Sequence, residues 1–174
     1  AYISDKDSFI KFQQGLNKSS LSTELIGAED ELHSLLESNQ IDSVIAGIMG
    51  VSGLSLVHKS IEFGKKLLLA NKESYIVAGE LLNNLAKKNK SIIFPLDSEH
   101  SAIHQCITKN KNISDVSKIY LTGSGGPFLN HDVSSFKSIT PDQAIAHPIW
   151  KMGKKISVDS ATLMNKGLEL IEAR

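Results

Sequence analysis

Three short apolar runs recur early in the chain: "IDSVIAGIMG" at 41–50, "KKLLLA" at 65–70 and "SIIFP" at 91–95. Their length and flanking polar residues mark them as buried strands, the first running into glycines. Between them lie "VSGLSLVHKSIEFG", a helix ending at Gly64, and "NKESYIVAGELLNNLAKKNK". The second carries Val77, Leu81 and Leu85 at helical spacing, with lysines in its last turn where they suit the helix dipole. Strands alternating with helices need crossover connections, and so predict a parallel sheet in an α/β domain of the nucleotide-binding kind. Ligands of such sheets sit beyond the carboxyl ends of the strands. The polar groups of "GIMGVSG", "ANKES" and "PLDSEH" each follow a strand, so all three are placed to line one crevice.

Past residue 97 the pattern changes. "SKIYLTGSGGPF" reads as a strand entering a glycine-rich turn, and "ISVDSAT" as another strand. Residues 129–155 show little regular signal except near "TPDQAIAH", and a connection that long is more often functional than merely linking. A domain boundary is placed near Pro95, giving one α/β unit over 1–95 and a second over 96–174.

Charge and cysteine content narrow the function classes. Lys plus Arg and Asp plus Glu balance at 19 each, so no strong field draws the chain to nucleic acid or an anionic membrane. The single Cys106 fits a reducing compartment, and neither a signal peptide nor a membrane-length apolar run is seen, which predicts a cytosolic protein. The chain opens on Ala1 and stops at Arg174 inside a helical pattern, so it is expected to be a segment of a longer protein.

Several stretches carry chemistry, each with a plainer reading beside it. Asp97 and Glu99, two apart in an extended segment, point to one side and suit a hard cation such as Mg²⁺ or Mn²⁺. They equally suit a helix start, Asp97 or Ser98 as N-cap with Glu99 favouring the dipole, and the stretch by itself favours the cap. His100 and His104 are four apart, but the HExxH order of a zinc site is absent. "TGSGGPF" offers Thr122, Ser124 and glycine-freed amides to an anion, or is simply a turn. The glycines at 47, 50 and 53 lack dinucleotide-fingerprint spacing. On a helix, Asn165, Lys166 and Glu169 share one face opposite Met164, Leu168 and Ile171, which also describes a solvated surface pair. Trp150, the only tryptophan, lies in the long loop, where it either covers a ligand or pins the loop.

Taken together, "LLLANKES", "PLDSEHSAI", "LTGSGGPF" and "TPDQAIAHPIWKMGKKISVDSATLMNKGLELIEAR" closely resemble the 1-deoxy-D-xylulose-5-phosphate reductoisomerase family, collinearly from about residue 41 onward. The resemblance implies part of a Rossmann-like NADPH-binding domain over 1–95, without its first strand and glycine turn. It implies part of an α/β catalytic domain over 96–174. It implies NADPH-dependent isomerisation and reduction of 1-deoxy-D-xylulose 5-phosphate to 2-C-methyl-D-erythritol 4-phosphate, in non-mevalonate isoprenoid synthesis. It assigns a divalent cation (Mn²⁺, Mg²⁺ or Co²⁺) to Asp97, Glu99 and Glu169, and catalytic roles to Lys72, Glu99 and Glu169. Lys72, Ser98 and Glu99 would meet the carbon chain of the substrate. Ser124, His147, Ser160, Asn165 and Lys166 would bind it chiefly around its phosphate. Asn71, Glu73 and Gly153 would touch NADPH, while Trp150 and Met152 belong to a closing loop. The whole enzyme is expected to be a homodimer acting on a small phosphosugar, in the bacterial cytoplasm or a plastid-type organelle, and this segment alone is expected to be inactive. Two other readings use the same residues: a metal-dependent phosphosugar aldolase or lyase without hydride transfer, and a non-catalytic phosphosugar-binding module.

Overall fold

A computed structural model describes residues 2–19, 21–109 and 113–173. The N-terminal part holds two helices, α1 (Lys6–Leu16) and α2 (Glu29–Glu37), and an isolated parallel bridge between Tyr2 and Ile26. The Asp5 carboxylate caps α1 by accepting from the Ser8 amide at 2.9 Å.

The three apolar runs are the strands β1 (Ser43–Ala46), β2 (Lys66–Leu69) and β3 (Ile92–Pro95), all parallel and in the order β1-β2-β3. Ser43 pairs with Lys66 and Lys66 with Ile92; Ala46 pairs with Leu69 and Leu69 with Pro95. All three strands therefore end at one level, which brings the segments following β2 and β3 together. Helix α3 (Leu54–Glu62) crosses from β1 to β2, and α4 (Lys72–Asn89) from β2 to β3.

One face of the sheet is buried. Leu67 and Leu69 of β2 pack with Val57 and Ile61 of α3 and with Leu82 and Ala86 of α4, flanked by Val44 and Ile93. The opposite face stays open, with Ile45 at 70% exposure and Lys66 Nζ 4.7 Å above the Phe94 ring. Helix α4 is kinked at Ala78 and turns Val77 and Leu81 outward, so its core stripe runs through Leu82 and Ala86 instead.

The second half departs from the sequence-based reading in two places. "ISVDSAT" is helical, forming α7 (Lys154–Ala161). Its alternating Ile156 and Val158 mimic a strand, but among the described residues no strand lies beside them to pair, and both side chains are exposed. Ser157 Oγ instead donates back to the Gly153 carbonyl at 3.0 Å. "SKIYLT" has an alternating pattern yet pairs with no strand among the described residues, leaving Tyr120 79% exposed. The long stretch holds a 3₁₀ turn at Val133–Ser138 and α6 (Pro141–Ile145), which begins with a capping box between Thr140 and Gln143. Helices α5 (Ser98–Lys109) and α8 (Met164–Glu172) complete the framework of the site. Among the described residues no helix is long and apolar enough to cross a membrane.

Candidate active site

The site forms where β2 and β3 end. Lys72 is the first residue of α4, Asp97 follows β3, and Ser98 and Glu99 open α5. Helix α8 lies against α4 and inverts the usual amphipathic order: Glu169 and Glu172 are its buried residues, while Met164, Leu170 and Ile171 are exposed. Burying a carboxylate demands partners. Glu169, fully buried, accepts from Asn165 Nδ2 at 2.5 Å, Lys72 Nζ at 3.2 Å and Lys166 Nζ at 2.8 Å.

The two ammoniums tie this carboxylate to two others. Lys72 Nζ also lies 2.5 Å from Asp97 Oδ2, and Lys166 Nζ also donates to Glu99 Oε1. Burial pulls both lysines down, yet the hydrogen bonds and charges of their carboxylate partners outweigh it, and both pKa values stand above the ordinary lysine range. Burial would raise Glu99, but hydrogen bonds from Lys166 and Ser98 bring its carboxyl down to about 2.

Asp97, Glu99 and Glu169 each bring one oxygen to within 4.8 Å of the others. The backbone carbonyl of Asp97 accepts the first bond of α5, from Ser101 N at 2.8 Å, so the residue does occupy the cap position. Its side chain does not cap, because Oδ2 meets Lys72 and the buried Oδ1 has no partner among the described residues. An orphaned buried carboxylate oxygen beside two further carboxylates is an all-oxygen donor set that fits a hard divalent cation such as Mg²⁺ or Mn²⁺. The histidines are engaged elsewhere. His100 Nε2 lies 2.9 Å from the Glu169 carbonyl oxygen and its Nδ1 2.8 Å from Glu172 Oε2, while His104 meets Phe94 edge-on.

A second polar cluster faces the first. Ser124 Oγ sits 3.0 Å from His147 Nε2 and 3.5 Å from Ser160 Oγ. His147 Nδ1 accepts from the amides of Ile149 and Trp150, at 3.3 and 3.0 Å, so in the neutral ring the proton is on Nε2 and points at Ser124. The turn that presents Ser124 needs its glycine at 126. The φ there is +65°, and a Cβ would stand 2.9 Å from the Ser160 carbonyl oxygen.

Lys72, Ser98, Glu99, Ser124, His147, Trp150, Ser160, Asn165 and Lys166 line one cavity of about 370 Å³, together with Asp97 and Met152. Trp150 is 61% exposed at its mouth. Residues expected near the cofactor lie outside it. Glu73 pairs with Lys155 at 2.7 Å, next to Gly153 at the start of α7. Asn71 is 2% exposed, with its side chain wholly used: Oδ1 accepts from Ser74 N at 2.9 Å, and Nδ2 donates to the carbonyls of Ile48 and Gly50. Held this way, it shapes the turn after β1. The sequence-based reading weighed His100 only as a zinc ligand and missed its contacts with Glu169 and Glu172, as well as the role of Lys155. His100 and Glu172 are 72 positions apart, and no local pattern joins them.

Residues 1–79 match the family model for 1-deoxy-D-xylulose 5-phosphate reductoisomerase, and residues 93–174 match the model for the C-terminal domain of that enzyme. The 1-deoxy-D-xylulose 5-phosphate reductoisomerase of Clostridium kluyveri is 47% identical over 99% of this chain, and that of Saccharophagus degradans 46% identical over 99%. The chain spans 45% of the length of each. A solved DOX-P reductoisomerase in complex with NADPH, fosmidomycin and magnesium superposes with a TM-score of 0.83 at 39% identity, covering 97% of this chain and 44% of that one. The Zymomonas mobilis enzyme in complex with NADPH gives 0.81 at 38% identity, covering 99% and 43%. The parallel sheet, the facing polar clusters and these likenesses lead to one conclusion: the chain belongs to the 1-deoxy-D-xylulose 5-phosphate reductoisomerase family.

Proposed function

We propose that this chain supplies the cation-binding and phosphosugar-binding parts of an enzyme that isomerises 1-deoxy-D-xylulose 5-phosphate and reduces it with NADPH to 2-C-methyl-D-erythritol 4-phosphate. One observation carries the reading: of three converging carboxylates, Asp97, which has an orphaned oxygen, and Glu99 share a cavity with a serine-histidine-serine cluster suited to an anion, with the buried Glu169 closing the set behind them. We assign residues 1–95 to the cofactor domain and 96–174 to the catalytic domain.

Asp97, Glu99 and Glu169 would hold a divalent cation, which when bound supplies Lewis acidity toward substrate oxygens; NADPH supplies the hydride. The chain's own residues do the rest. Ser124, Ser160 and the Nε2 proton of His147 bind and orient the phosphate, fixing the sugar at one end. Lys72, Ser98 and Asn165 line the route from there to the carboxylates and orient the hydroxyls. Trp150 and Met152, at the cavity wall, close over the substrate and exclude water. Asn71, Glu73 and Gly153 are assigned to NADPH, Asn71 also shaping the turn after β1. We place the whole enzyme in the bacterial cytoplasm as a homodimer. The bacterial relatives support the first assignment, and exposed apolar side chains such as Tyr120 and Ile171 support an apolar interface.

The test is a chimera in which this chain replaces the matched 45% of the Clostridium kluyveri relative. NADPH oxidation that needs both 1-deoxy-D-xylulose 5-phosphate and Mn²⁺ is expected. A folded chimera that cleaves the sugar without consuming NADPH, or merely binds it, would contradict the reading.

A further inference from the structure

We propose that Lys72 and Lys166 serve as internal counter-ions of the carboxylate cluster, and that a divalent cation entering it releases them toward an anionic ligand, making cation and phosphate binding cooperative. The inference rests on reading Asp97, Glu99 and Glu169 as the cation site.

The placement of Lys166 motivates it. Although assigned to the substrate phosphate, its Nζ is spent on Glu99 and on Glu169 Oε2, not on Ser124, His147 or Ser160. To reach a phosphate it must change partners. Lys72 is held alike, between Asp97 Oδ2 at 2.5 Å and Glu169 Oε1 at 3.2 Å. Two unit positive charges thus occupy a cluster of three carboxylates, the same charge one divalent cation would bring.

Cation and ammoniums cannot both be comfortable there. A hard cation draws carboxylate oxygens to about 2.0–2.6 Å, placing a double positive charge beside ammoniums that share the same oxygens. Like charges at such separations repel strongly where water is largely excluded. Both lysines sit on flexible stems in the cavity wall. The stem of Lys166 runs along the glycine before Ser124, where a Cβ would come within 3.0 Å of its Cε. An ammonium displaced from Glu169 therefore moves along the wall that leads to the serine-histidine-serine cluster. A phosphate seated there gains a charge-assisted donor only after the cation has taken its place. Linkage then requires the reverse effect, with phosphate tightening the cation to the same degree.

The experiment titrates Mn²⁺ by calorimetry and by electron paramagnetic resonance, with and without methylphosphonate as the anion probe, in the wild-type chain and in Lys166→Met. Circular dichroism verifies the fold, and Lys72→Met provides a second variant. Methylphosphonate is expected to tighten Mn²⁺ about fivefold or more in the wild type, and Mn²⁺ to tighten methylphosphonate equally. Lys166→Met should bind Mn²⁺ alone at least as tightly as wild type, because a competing charge is gone, and should lose the coupling. Wild-type Mn²⁺ binding without coupling, coupling that survives in both variants, or weaker Mn²⁺ binding by folded Lys166→Met overturns the counter-ion role and leaves the cation site standing. Failure of the wild type to bind Mn²⁺ at all overturns both.

Discussion

His100 Nε2, on the helix that carries Glu99, lies 2.9 Å from the backbone carbonyl oxygen of Glu169 on α8, so one buried imidazole ties together the two helices that supply the carboxylates. Its Nδ1 faces Glu172, whose carboxyl is pushed up by burial. Neither residue lines the cavity. Partners of this kind fix ligand orientation, and their loss typically costs about 10- to 100-fold in metal affinity. His100→Ala is therefore expected to weaken Mn²⁺ binding by about tenfold or more while the helical content by circular dichroism is kept. Unchanged affinity in a folded variant would show that the two helices hold their spacing without the imidazole.

Gly126→Ala places a methyl group 2.9 Å from the Ser160 carbonyl oxygen at a φ of +65°. The left-handed conformation alone costs about 1–2 kcal/mol for a residue with a Cβ. The thermal midpoint should fall, and methylphosphonate affinity should fall with it, because the shift separates Ser124 from Ser160. Gly15→Ala is the contrast. It lies within α1, a Cβ there meets nothing within 4 Å, and the helix should gain about 0.5–1 kcal/mol. Loss of stability in both variants would contradict the placement of at least one glycine.

Lys155 joins Glu73 on α4 to Asp159 on α7, each at 2.7 Å. Burial raises the Glu73 carboxyl, but the Lys155 hydrogen bond outweighs it and the group ends below the ordinary glutamate value. A carboxyl held low in the fold contributes stability above its unfolded pKa and loses it as pH falls through the folded one. Denaturant midpoints measured from neutral into acid should therefore drop more steeply for wild type than for Glu73→Gln. Parallel curves would mean that the strap contributes nothing.

Much of the fold was legible because it obeys local rules. The runs around Val44, Leu67 and Ile93 are short and apolar, the helices between them amphipathic, and the parallel order follows from alternation. Strand readings failed at Ile156 and Val158, where alternation describes an exposed helix, and at Ile119 and Tyr120, where no strand among the described residues pairs with them. The site was harder. Asp97 read alone looks like a cap, and only its contact with Lys72, 25 residues earlier at the start of α4, shows its side chain turned away from that task. Glu169, on what looks like a solvated face, is fully buried, because the polar side of α8 packs inward against α4. Such inversions leave no mark in a helical wheel. The family resemblance named the three carboxylates, whereas the brace at His100 and the strap at Lys155 emerge only from the packed structure.

Mn²⁺ binding to wild type and to Glu169→Gln decides whether Asp97, Glu99 and Glu169 form the proposed divalent-cation site. The amide keeps the shape of the side chain but removes the charge that a hard cation needs. Electron paramagnetic resonance should show a single bound Mn²⁺ in the wild type, displaced by excess Mg²⁺, and a loss of affinity in folded Glu169→Gln larger than that caused by His100→Ala. Equal Mn²⁺ affinity in wild type and Glu169→Gln would place the cation elsewhere and remove Glu169 from the site.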